Sequence, residues 1–114
     1  MLKSLLALFQ GPQSVKNISG AELQRLIKER SIQVIDVRTP SEYGSGHIPK
    51  AKNLDVNAHT FSQKIGALPK DGVYVVYCRS GMRSRRAAGI MAKQGFTTIY
   101  DLGGVGNWPG KLER

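Results

Sequence analysis

Acidic side chains are scarce in this sequence: eight against 17 basic ones, a formal net charge of +9 at pH 7 over 114 residues. Cysteine is scarcer, with Cys78 alone. One thiol excludes an intrachain disulfide and points to a reducing, cytoplasmic setting. With only His47 and His59 beside it, a tetrahedral zinc site lacks thiolate ligands, so neither a metal nor a cofactor is expected. Long apolar runs are missing too; nothing approaches the ~18 residues of a transmembrane segment. Aromatic residues are few (three Phe, four Tyr, one Trp), with no clustered stacking surface and no recognition motif, which argues against nucleic acid despite the charge. Repeats, low-complexity stretches and linkers are absent. What remains is 40% apolar and 22% charged, a globular composition with material for a modest two- or three-layer core in one domain.

The placement of the charge says more than its size. Residues 1–71 carry a net +4, residues 72–100 a net +5 and residues 101–114 none. The middle block holds Arg79, Arg83, Arg85, Arg86 and Lys93 with no acid between Asp71 and Asp101. Such a block calls for an anionic partner. Arg85, Arg86 and Lys93 also fit a solvated helix face.

Leu2, Leu5, Leu6 and Phe9 recur at helical spacing before Gly11 and Pro12, so residues 1–12 read as a short amphipathic helix. Its apolar run is too short for a secretory signal, and no cleavage site follows. Such a helix would pack on its own domain or on a second copy, or touch a membrane or a partner. Residues 13–114 read as the domain proper. Val15 to Ile18 fits a short strand, and Ser19-Gly20-Ala21-Glu22 a capping box that opens a helix running to Arg30. Val34 to Val37 is an apolar run typical of a strand buried on both faces. Thr39-Pro40-Ser41-Glu42 is a second capping box with proline at the first helical position; Gly44 and Gly46 end that helix. A weak strand at Lys52 to Leu54, a helix at Thr60 to Leu68 and the turn Pro69-Lys70-Asp71-Gly72 lead to the clearest strand, Val73 to Tyr77. A helix through Ala87, Ala88, Ile90 and Met91 closes at Gly95, and Thr97 to Leu102 make the last strand. Alternating strands and helices predict an α/β fold with an open, mainly parallel sheet covered by helices on both faces.

In such sheets, sites form beyond the carboxyl ends of strands, where Cys78-Arg79-Ser80-Gly81-Met82-Arg83-Ser84 falls. A short loop closed by a helix can turn successive N–H groups inward as an anion cradle, with Gly81 supplying positive φ and the helix its positive dipole end. The cradle suits a thiolate, an oxyanion or a charged sulfur adduct. An inert buried thiol is the bland alternative. Two arginines and a glycine within five residues of the sulfur speak against it. Lowering a thiol from about 8.5 to about 6.5 would raise its thiolate fraction at pH 7 about 24-fold. The same shift weakens nucleophilicity by about 6- to 10-fold. Thiolate activation alone is therefore worth a few-fold, and Arg79 and Arg83 must matter chiefly as anion binders that align the substrate and stabilise the leaving group.

Three segments together resemble the single-domain rhodaneses of the rhodanese-like sulfurtransferase family: Ile35 to Tyr43 with Gly46-His47-Ile48-Pro49 and Ala51 to Leu54; Val75 to Ser84; and Leu102-Gly103-Gly104 with Trp108. The resemblance covers Val15 to Trp108. It implies a sheet of about five strands, with Cys78 as the nucleophile that takes the outer sulfur of an anionic donor such as thiosulfate, releases sulfite and holds a persulfide for cyanide or a thiol or protein acceptor. It assigns the amides of Arg79, Ser80, Gly81, Met82 and Arg83 to the persulfide and the Arg79 and Arg83 side chains to the donor; Ser84 closes the loop. Asp36, Arg38 and Glu42 match its Asp-x-Arg-x-x-x-Glu segment as scaffold, with Arg38 expected to pair with Glu42 and Asp36 to support the loop. His47 is expected to be structural. Lys50 stands where the family often has glycine, and little chain follows Trp108 to form a C-terminal helix.

Two other functions compete. A cysteine phosphatase or arsenate reductase would share the cradle but needs arginine six residues after cysteine, where this chain has Ser84; Arg83 comes one residue early, which sizes the loop for a single sulfur atom. A non-enzymatic persulfide carrier or docking module would share the loop and show little turnover with thiosulfate.

Overall fold

The most apolar stretch, Val73–Cys78, forms the central strand β4 of the sheet. A computed structural model describes residues 14–114; the helix expected over residues 1–12 lies outside them. In chain order the elements are β1 (Val15–Asn17), α1 (Gly20–Glu29), β2 (Gln33–Asp36), α2 (Pro40–Ser45), β3 (Lys52–Asn53), α3 (Phe61–Gly66), β4, α4 (Met82–Lys93) and β5 (Thr98–Gly104), followed by a 3-10 turn at Val105–Asn107. The five strands are all parallel, in the order β1-β5-β4-β2-β3, so every strand end that leads into a helix lies on one side.

Alternation along β4 divides the core. Tyr74, Val76 and Cys78 join Ile35, Val37 and Ile99 under Phe61, Ile65, Ala87, Ala88 and Met91 of α3 and α4. Val75 and Tyr77 face the other way, with Val34, Ile48 and Leu102, under Leu23 of α1, and with Leu26, Tyr43 and Trp108 at its margin. Both faces are buried, which is why the strands read as unbroken apolar runs. Both capping boxes form as expected: Ser19 with Glu22, and Thr39 with Glu42 behind Pro40.

Two details shape the carboxyl edge of the sheet. The register between β4 and β5 shifts after Val76, which pairs with Asp101, while Tyr77 pairs with Gly103; the bulge at Leu102 brings Gly103 and Gly104 alongside Tyr77 and Cys78. Beyond the 3-10 turn no C-terminal helix forms. Instead the chain end returns to pair Glu113 with His47 in an isolated bridge.

Candidate active site

Cys78 is the last residue of β4 and α4 begins at Met82, so the chain reverses within three residues. Gly81 makes the reversal, with φ 113°, in the left-handed region where a side chain would be strained. Its N–H points back and donates to Cys78 Sγ at 3.0 Å. The thiol itself is only 1% exposed. Burial pushes its pKa up, yet the Ser84, Gly81 and Ser80 amides outweigh burial and hold the thiol below its ordinary range. The fully buried Ser84 also donates from Oγ to Gly81 O at 3.0 Å, which locks the turn. A Cβ on Gly104 would come within 2.6 Å of the Arg79 carbonyl oxygen, so the loop can rest on β5 only because that residue is glycine.

The loop side chains divide sharply. Arg79, Ser80 and Met82 are exposed, Met82 by 80%. Arg83 is directed away from open solvent: Nη1 and Nη2 donate to the two carboxylate oxygens of Glu42 at 2.7 and 2.9 Å. The same carboxylate accepts the Thr39 N–H and hydroxyl, both at 3.1 Å. Hydrogen bonding to Arg83, aided by Thr39 and opposed by burial, lowers the Glu42 pKa to about 2. The ion pair thus ties the start of α2 to the start of α4.

That pairing corrects the expectation for Arg38. Its guanidinium binds Asp36 instead, through Nε at 2.9 and 3.0 Å and Nη2 at 2.6 Å, and also donates to Gly46 O at 2.7 Å. Asp36 is fully buried and Arg38 6% exposed. A buried carboxylate must be compensated where it stands, and the cation two residues away does so, leaving Glu42 for Arg83. Asp36 also accepts the Arg38 amide at 2.9 Å and the Tyr77 hydroxyl at 2.8 Å, and that hydroxyl accepts the Ile48 N–H at 3.1 Å. Tyr77 is a residue that sequence reasoning missed. The available signal was a phenol, one of two with Tyr74, in a buried strand, since its hydroxyl needs a partner. Asn53 was missed as well; its amide donates to the Asp36 and Arg38 carbonyls at 3.0 and 2.9 Å.

His47 stacks on Tyr43 with ring centroids 3.7 Å apart and binds the Tyr43 carbonyl through Nδ1 at 2.9 Å, away from the sulfur. Lys50 adopts φ 66°, the conformation a glycine would take freely. Among the described residues no group of His, Cys, Asp and Glu is placed to hold a metal, and no helix is long and apolar enough to cross a membrane. On the β5 side the loop borders an open groove of about 340 Å³ whose lining includes Ser80, Gly81, Arg85, Asp101 and Asn107.

The chemistry this arrangement allows is nucleophilic: a thiol with a lowered pKa at a strand end, met by converging amides in a loop that carries the exposed Arg79. A family model described as Rhodanese-like domain matches residues 19–111. A sulfurtransferase of Allochromatium vinosum is 37% identical over 86 residues, covering 75% of this chain and 78% of that protein. The thiosulfate sulfurtransferase GlpE of Shewanella oneidensis is 34% identical over 96 residues, covering 83% and 93%. Among solved structures, a rhodanese-like domain protein from Staphylococcus aureus matches with a TM-score of 0.75 at 30% identity, covering 86% of this chain and 96% of that one.

Proposed function

The chain belongs to the rhodanese-like domain family, with sulfurtransferases among its relatives, and from that premise we propose that it moves a sulfane sulfur from thiosulfate through a Cys78 persulfide to a thiol acceptor. The Cys78 thiolate attacks the outer sulfur of thiosulfate; the sulfur–sulfur bond of the donor breaks and sulfite leaves with the electron pair. The persulfide sulfur then sits among the loop amides. An acceptor thiolate, or cyanide in an assay, attacks that sulfur, and the electron pair returns to Cys78. Arg79 is the exposed loop cation available to the donor, while Arg83 acts through its hold on the loop. Asp36, Arg38 and Tyr77 form the buried support behind it. The setting proposed is a reducing cytoplasm, where the lone thiol stays free for turnover, and the unit that works is the domain of residues 13–114, without a cofactor.

The observation that carries this reading is the Gly81 N–H donated to Cys78 Sγ at a strand end, together with the lowered thiol pKa. The test is an intact mass after incubation with thiosulfate. A gain of one sulfur atom on the wild type and none on Cys78→Ser is expected; no gain, with thiocyanate also absent after adding cyanide, would overturn it.

One observation favours a second reading. Arg83 is already paired with Glu42, which leaves the loop fewer free cations for a dianion than its sequence suggests. A persulfide carrier supplied by another protein would need fewer. It would accept sulfur from a persulfidated protein donor while turning over thiosulfate slowly. Phosphatase chemistry finds less support, because Arg83 is committed to Glu42 in addition to its early position.

A further inference from the structure

The guanidinium fork of Arg83 is shaped to take an oxyanion with two parallel hydrogen bonds, and here both are made to Glu42. Neither partner is free to swing, since Glu42 is also fixed by Thr39 and the two side chains are only 25% and 28% exposed. Asp55 adds negative potential at Arg83. Arg86 is tied to Asn57. A donor at Cys78 therefore meets the loop amides and the exposed Arg79, and a neutralised ion pair where the sequence alone places a free cation.

We infer that Glu42 is a specificity-determining residue: by closing Arg83 into an ion pair it lowers the positive charge beside Cys78, so that the site favours singly charged sulfane donors, the persulfides of small or protein thiols, over doubly charged thiosulfate. This rests on the sulfurtransferase reading. With a persulfide, which reacts in its protonated form R–S–SH, the step balances: Cys78 thiolate bonds to the outer sulfur, the S–S bond breaks, the proton stays on the transferred sulfur, and R–S⁻ leaves with the electron pair. An open Arg83 fork would instead hold oxyanions, including the sulfite that each thiosulfate turnover must release. Glu42 thus weakens thiosulfate binding and speeds clearance of sulfite.

The decisive variant is Glu42→Gln, which keeps an oxygen for the Thr39 N–H and removes the charge. Its expected effect is a fall of about 5- to 10-fold in the KM for thiosulfate and in the sulfite dissociation constant, the size of one uncompensated charge at short range in a partly solvated site. The KM for a small-thiol persulfide should change less, and Glu42→Asp should return most of the wild-type preference. Charge is separated from scaffold by Arg83→Gln, which leaves Glu42 unbalanced and should weaken sulfite binding, and by the double variant, which restores the wild-type net charge and should bring sulfite affinity back toward the wild-type value. Sulfite binding unchanged or weaker in Glu42→Gln, equal shifts for both donors, or a double variant as weak as Arg83→Gln would each overturn the inference. Sulfite titration followed by calorimetry needs no turnover. If no form takes up sulfur but Glu42→Gln still tightens sulfite, the functional reading fails while the role of Glu42 in setting the site's charge stands.

Discussion

Cys78 and Lys50 show how single residues are held against their intrinsic preferences. Burial alone would raise the Cys78 pKa, and the converging amides reverse the sign. The folded thiol therefore carries fewer protons than the unfolded one in the window between its lowered value and its ordinary value. Stability from this group is complete above the ordinary value and is lost as pH falls through the lowered one. Correspondingly, the rate of Cys78 alkylation by neutral iodoacetamide should reach half its plateau at a lower pH in the folded protein than in urea. A midpoint at or above the unfolded one would show that burial wins. Lys50 sits at φ 66°, which costs a side-chain-bearing residue about 1–2 kcal/mol. Glycine would relieve this but would add about 0.4–1 kcal/mol of unfolded-state entropy to be lost. Lys50→Gly should therefore stabilise by roughly 0.5–1 kcal/mol, or a few degrees in Tm, with the Lys50 N–H still donating to Glu113. A lowered Tm would mean that the Lys50 side chain contributes more than its backbone strain costs.

At the level of elements, the local devices could be read in advance and the long-range ones could not. Capping boxes depend on residues three apart, and β4 on an unbroken apolar run that ends in cysteine, so the sequence already places the sulfur at a strand end before a helix. The partner choices of Arg38, Glu42 and Arg83 depend instead on which carboxylate is buried. Glu42 and Arg83 are 41 residues apart, so spacing favoured the wrong pair, Arg38 with Glu42. The Tyr77 hydroxyl escaped notice for the same reason: its partners Asp36 and Ile48 come from β2 and the segment after α2. This hydroxyl hydrogen-bonds β4 to both. Tyr77→Phe strands the Ile48 N–H and removes a donor from the buried Asp36 carboxylate, which should cost about 1–3 kcal/mol. Denaturant unfolding checks the size. Persulfide loading of Cys78, on the next residue, should fall less than stability does; a loss of loading without a loss of stability would place Tyr77 in the reaction instead of the support.

Across the whole molecule the +9 charge becomes less uniform than composition suggests. Of the cations in residues 72–100, Arg83 is neutralised by Glu42, whereas Arg79 at the loop and Arg85 beside it are exposed, and Arg85 lines the groove on the β5 side. Asp36 and Glu42 are each locked to an arginine, so the exposed Arg79, Arg85 and Arg86, set against Asp55 and the groove-lining Asp101, leave the mouth of the site a positive excess. Such a field acts over about a Debye length, ~8 Å at physiological salt and ~3 Å at 1 M. It attracts a small anion before contact without binding it, which raises the encounter rate more than the affinity. The second-order rate constant for Cys78 with thiosulfate should therefore fall several-fold as sodium chloride is raised from about 20 mM to about 0.5 M. Alkylation by uncharged iodoacetamide under the same conditions serves as the internal control. If it falls in parallel, salt is acting on the thiolate or its loop, and the positive excess serves solubility or another partner; if it holds steady while thiosulfate slows, the charge guides the donor.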